Sequence, residues 1–218
     1  MKEFEIKFKF YGGYETFDRM GREIIEHGLE NGESPDVIIT KCLEEYEAWM
    51  YYKGNEIFQA TVDFDVFVSD LIALAFYSLR GDVPGNIDFN GRIFTDMSQL
   101  PGWWRKEAEK ARAILEERFG IVTTNPVFCS TFGSYDPTVI IFAFTEGEDL
   151  HLVSTTYNKV ARLSARKIAE YVAEVVGMAI TELEKHIGLF EEFGIKEYAE
   201  RVKTLREKWE LLKSTLAD

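Results

Sequence analysis

The chain has 218 residues, 46% hydrophobic and 14% aromatic, with 17 Phe and 10 Tyr, which supplies a sizeable core and argues against disorder. Its net charge is −13; residues 1–156 carry 27 acidic and 14 basic side chains, whereas 157–218 carry 11 of each. The acidic excess repels a phosphate backbone and disfavours general nucleic-acid binding, and no apolar run approaches the ~20 residues of a membrane span.

The first residues, MKEFEIKFKF, alternate where a signal peptide would have an apolar block. The expectation is a soluble, cytoplasmic protein with no membrane partner. Cys42 and Cys129 show no C-x-x-C spacing and are expected to be reduced and buried. Gln occurs only at 59 and 99 while Glu and Lys abound, a thermophile-like bias.

In chain order, Phe4, Ile6, Phe8 and Phe10 alternate with charged residues as in a strand with one buried face. Gly12-Gly13 ends it, in a turn where Glu15 and Asp18 would repel an anion. Thr16 caps a helix through Ile25, and Ser34-Pro35 opens a second helix predicted to run through Cys42, Tyr46 and Trp49. Residues 57–68 are predicted to form a strand whose polar face carries Gln59, Thr61, Asp63 and Asp65, with Ser69 capping a short helix to Arg80. One long buried helix over 62–80 competes, but would put Asp63 and Asp70 on one side and Asp65 and Arg80 on nearly the opposite side.

Asn90-Gly91, between Ile87-Asp88-Phe89 and Arg92-Ile93-Phe94, has the composition of a two-residue hairpin turn. A helix is predicted over 102–119, then strands at 127–132, 138–145 and 149–156, the middle one apolar throughout and therefore central. From Asn158 the chain is predicted to be helical. Val172, Val175, Val176, Ala179, Ile180, Leu183 and Ile187 form one stripe, and Tyr198, Val202, Leu205, Trp209, Leu212 and Leu216 recur at 4-3 spacing. The fold expected is α+β: a mainly antiparallel sheet covered by helices, with a C-terminal antiparallel helical hairpin. An acidic body over 1–156 and the hairpin over 157–218 would form one structural domain.

Asp63 and Asp65 on one strand face could hold Mg²⁺ or Mn²⁺, with His151 in LHLVS as a third ligand or a base. The competing reading is a solvated strand face. Phe132-Gly133-Ser134-Tyr135-Asp136 resembles the Gly-Ser turn of nucleotidyltransferases, but here the D-x-D precedes it in the chain, the reverse of that family's order. A turn set by Gly133 and Asp136-Pro137 accounts for it. Lys159, Arg162 and Arg166, at helical spacing, would share one face near a helix N-terminus and call for an anion, either carboxylates of the body or a bound phosphate. Trp103 and Trp209 are candidate interface residues. Neither cysteine has a nearby histidine and there is no G-x-S-x-G, so covalent catalysis has no support.

Two functions are expected from this. The first is an interaction or assembly protein without a catalytic apparatus or cofactor, self-associating as a homo-oligomer and able to take a protein partner. The alternative is a divalent-metal-dependent hydrolase of a phosphate-containing small molecule, using Asp63 and Asp65.

Overall fold

The computed structural model describes residues 3–10, 16–123 and 125–217; the Gly12-Gly13 turn and Glu15 fall outside them. The described residues form an α+β fold of two antiparallel sheets and surrounding helices. The first sheet holds β1 (Phe4–Phe10), β2 (Tyr46–Tyr52) and β3 (Asn55–Val62) in chain order. Between β1 and β2 run α1 (Phe17–Glu30) and α2 (Pro35–Leu43). Both begin where the sequence predicts, with Thr16 Oγ1 accepting from the Arg19 N–H and Ser34 Oγ from the Val37 N–H.

The second helix does not continue through Tyr46 and Trp49. It stops at Leu43, and β2 follows, with Tyr46, Ala48 and Met50 buried and their neighbours half-exposed, a period of two. Lys53 and Gly54, at φ of 50° and 77°, make the two-residue turn into β3, the backbone geometry a hairpin requires.

The second sheet has the order β4 (Arg92–Phe94), β5 (Val127–Ser130), β6 (Ile141–Glu146), β7 (Asp149–Ser154) and β8 (Lys159–Ser164). As its apolar run predicts, β6 is central, and Ile141–Phe144 are buried. Asn90-Gly91 is not a hairpin turn: neither residue has positive φ, and β4 pairs with β5 instead of a strand over 87–89. Gly91 is needed for space, because a Cβ there would clash with the Cys129 carbonyl oxygen. The chain is not helical from Asn158 either. Residues Lys159–Ser164 are an edge strand with one fully buried side chain, Ala161, too little pattern to distinguish it from a helical turn.

Helix α4 (Gly102–Phe119) covers one face of the five-stranded sheet, packing Ala108, Ala111 and Leu115 against Val127, Cys129, Phe142, Phe144 and Val153. The alternate residues, among them Phe128, Ile141, Ala143, Leu150 and Leu152, face the main core. At its centre lies α3 (Phe64–Arg80), in which every residue from Phe67 to Ser78 is buried. The predicted strand over 57–68 therefore ends at Val62, and Ser69 lies inside the helix instead of capping it. A helix covered on all sides has no polar stripe, so periodicity cannot separate it from a buried strand.

The C-terminal hairpin forms as predicted. It comprises α5 (Ala165–Glu184), the short α6 (Ile187–Glu192) and α7 (Glu197–Ala217), with Gly194 at φ 76° before the last. Trp209 is seated within the hairpin, its indole N–H donating to the Ala173 carbonyl at 2.7 Å. Gly177 makes room for it, since a Cβ there would meet the Trp209 ring at 2.8 Å.

Candidate binding cleft

The helical start at Asp63 re-aims the two aspartates. Asp63 takes the N-cap position of α3 and Asp65 the first turn, where carboxylates meet the positive end of the helix dipole. The loop after β5 closes over this end. The Asp63 N–H donates to the Gly133 carbonyl at 2.9 Å, and Gly133, at φ 71°, approaches so closely that a Cβ would lie 2.6 Å from the Asp63 carbonyl oxygen. Chain order separates Gly133-Ser134 from the D-x-D segment, but the fold brings the two together, with Val62 bridging Ser134.

Arg201 on α7 reaches the same end, with one guanidinium nitrogen 3.0 Å from Asp65 Oδ2 and another 3.0 Å from Asp36 Oδ1. Burial, with the adjoining Asp65 carboxyl, pushes Asp63 far above the ordinary carboxyl range, and Arg201 only partly offsets this. Each of the two aspartates has a buried Oδ1 with no donor among the described residues. The pH dependence of stability tests whether a proton on Asp63 supplies the missing donor. The cation serving this pair is the Arg201 guanidinium.

His151 does not join them. It pairs with Phe144 and Arg162, so it projects from the α4 face of the sheet, and its ring lies 5.3 Å from that of Phe119. Helix α3 lies on the other face. His151 is fully buried, neither ring nitrogen has a hydrogen-bond partner among the described residues, and burial lowers its pKa. No cluster of three or more His, Cys, Asp or Glu able to hold a metal ion occurs among the described residues.

The predicted cationic face is dispersed for the same reason the helix begins late. Lys159 and Arg162 lie on β8 and Arg166 on α5. Arg162 pairs with Asp149 at 2.6 Å and Arg166 with Glu170 at 3.1 Å, so carboxylates of this chain answer both charges. Trp103, in the first turn of α4, is 39% exposed.

A cleft of about 420 Å³ opens between α3, α7 and the segment before β4. Arg201, Thr204, Leu205 and Lys208 share one face of α7 at i, i+3, i+4 and i+7, opposite Asp65, Val66 and Ser69, with Phe89 and Asn90 as the third wall. Asp70 holds that wall in place. It is fully buried and accepts from the Asn90 N–H at 2.7 Å and from the Ser130 hydroxyl. Burial pushes its carboxyl up to about 6 against these hydrogen bonds.

Lys208 differs from the other cations here. Its Nζ donates to the Ser69 hydroxyl at 3.3 Å and the Asp88 carbonyl at 3.2 Å, both neutral oxygens, and no carboxylate lies within ion-pair distance among the described residues. Burial lowers its pKa, although Asp88, Asp65 and Asp70 act the other way. The apolar 4-3 pattern of α7 does not single out Arg201 and Lys208, which lie beside Val202 and Trp209. Their seven-residue spacing around Leu205 was the available signal.

No helix among the described residues is long and apolar enough to cross a membrane. No protein-family model, no curated protein and no solved structure matches the chain.

Proposed function

We propose that this is a binding protein without a covalent catalytic apparatus, and that the cleft between α3 and α7 holds an anionic small molecule. The observation that carries the reading is the Lys208 ammonium, half-buried at the cleft wall with neutral oxygens as its hydrogen-bond partners. A desolvated cation costs free energy unless an opposite charge meets it, and a ligand can supply that charge. The volume lies within the usual range of about 300–1,000 Å³ for small-molecule sites, and apolar walls beside a few polar groups are the usual lining. A metal-dependent hydrolase has less support, because Arg201 already serves Asp65 and His151 lies across the sheet.

Thermal melting against a panel of small organic anions tests the reading. A ligand that binds the native state alone raises the melting temperature, and Lys208→Met is expected to abolish the rise. No rise with any anion would reject it.

Self-association remains a second reading, supported by apolar exposure along one helix and its exit: Trp103 at 39%, Phe119 at 40% and Val122 at 77%. Light scattering over a dilution series tests it. Dissociation on dilution, shifted by Trp103→Ser, is the expected result, and a monomer at every concentration would remove this reading.

A further inference from the structure

The ligand's chemical class follows from counting the charges that would face it. Lys208 brings one positive charge without a carboxylate partner, whereas Arg201 is shared between Asp65 and Asp36. Asp65 and Asp88 line the same cleft and Asp70 lies behind it, inside a chain of net charge −13. A phosphate monoester, with nearly two negative charges, would meet, among the described residues, one cation without a carboxylate partner and several carboxylates. A single negative charge is the most that Lys208 can answer here.

Shape narrows the class further. Arg201 and Lys208 stand seven residues apart on α7, about 10 Å along a helix axis. Between them lie Leu205, buried, with Val66 and Phe89 opposite. The Phe89 ring is itself fixed, stacked on Phe128 at 5.5 Å. An apolar body about as long as a benzene ring with a short chain would lie along this stretch, its charged end at Lys208. From this placement, and resting on the cleft being the binding site, we infer that the ligand is an amphipathic monoanion, a small carboxylate with an aromatic or aliphatic body, and not a phosphate monoester.

The carboxylate accepts from Lys208 Nζ, while the Ser69 hydroxyl stays committed to the Asp88 carbonyl. The body displaces water from Val66, Phe89 and Leu205. Asp70 is a positioning residue: by holding the Asn90 N–H it keeps Phe89 against the cleft.

Isothermal titration of the full chain with phenylacetate, phenylacetamide, phenyl phosphate and inorganic phosphate tests the assignment. Phenylacetate is expected to bind about 10-fold or more tighter than its neutral amide, the usual margin for a charge-assisted hydrogen bond. Neither phosphate should compete, and Lys208→Met should remove the preference for carboxylate over amide. Because the acid and amide are compared on the unaltered protein, the test survives a variant that fails to fold. Tighter Lys208-dependent binding of phenyl phosphate would overturn the monoanion assignment and leave the cleft reading standing. Binding of none of the four, or carboxylate binding indifferent to Lys208→Met in a folded protein, would overturn both.

Discussion

Arg201, near the start of the last helix, holds Asp65, in the first turn of the central helix, with 3.0 Å between Nη1 and Oδ2. This pair closes one end of the cleft and ties the C-terminal hairpin to α3. Both side chains are mostly covered, at 28% and 17% exposure.

Removing Arg201 should therefore cost more than the loss of a surface ion pair. Arg201→Met leaves Asp63 and Asp65 without their counter-charge, and we expect a loss of about 2 kcal/mol in urea denaturation, below the ~3–5 kcal/mol of a fully buried pair because water still reaches this one. Asp65→Asn in the same background should recover part of the loss, which a double-mutant cycle would read as coupling. Strict additivity would show that the two side chains do not interact.

Asp63 makes stability depend on pH in an unusual direction. Its carboxyl is pushed up to about 8 in the folded state, against about 4 in an unfolded chain, so the native state holds the extra proton between these values. The contribution is complete below pH ~4 and is lost as pH rises through about 8. Wild type should lose stability relative to Asp63→Asn across that window. A difference between the two that is flat with pH would mean that the carboxyls do not share a proton.

Gly133 should tolerate no side chain. At φ 71°, with the Asp63 carbonyl oxygen 2.6 Å from where a Cβ would stand, Gly133→Ala combines backbone strain with a clash against the start of α3. A loss of about 2 kcal/mol or more is expected in chemical denaturation. A change below ~0.5 kcal/mol would mean that the loop moves away freely.

His151 offers the opposite sign. A fully buried imidazole without hydrogen-bond partners among the described residues, its nearest carboxylate oxygen 3.7 Å away on Glu146, carries an unmet desolvation cost of about 1–3 kcal/mol. His151→Leu is expected to raise stability by about 1 kcal/mol. It should leave ligand binding at the cleft unchanged, since the sheet stands between them. A loss of binding in a folded His151→Leu protein would show that the site reaches across the sheet.

The legible parts of the fold were those with one wet and one dry face or a cap of fixed chemistry. Ser34-Pro35, the alternation in Phe4–Phe10 and the stripe over Val172–Leu183 each carry a period or a terminus signal that packing did not override. Helix α3 hides from periodicity because its buried residues, Phe67 to Ser78, run all round it and leave no polar stripe. Composition suits a hairpin turn at Asn90-Gly91, whereas the structure has one at Lys53-Gly54, where a lysine accepts φ 50°. Of the candidate site, Asp65 was visible and its partners were not. Arg201 and Lys208 meet α3 only because the hairpin folds back over it, a contact between residues 136 and 139 positions apart that no local pattern encodes.

The ligand proposed for this protein is a small monoanion seated between α3 and α7 against Lys208. Amide chemical-shift mapping of the ¹⁵N-labelled protein during phenylacetate titration is the decisive experiment. Saturable shifts confined to residues 65–69, 88–91 and 201–208, lost in Lys208→Met, are predicted. Shifts centred elsewhere, or none at millimolar ligand, would contradict it.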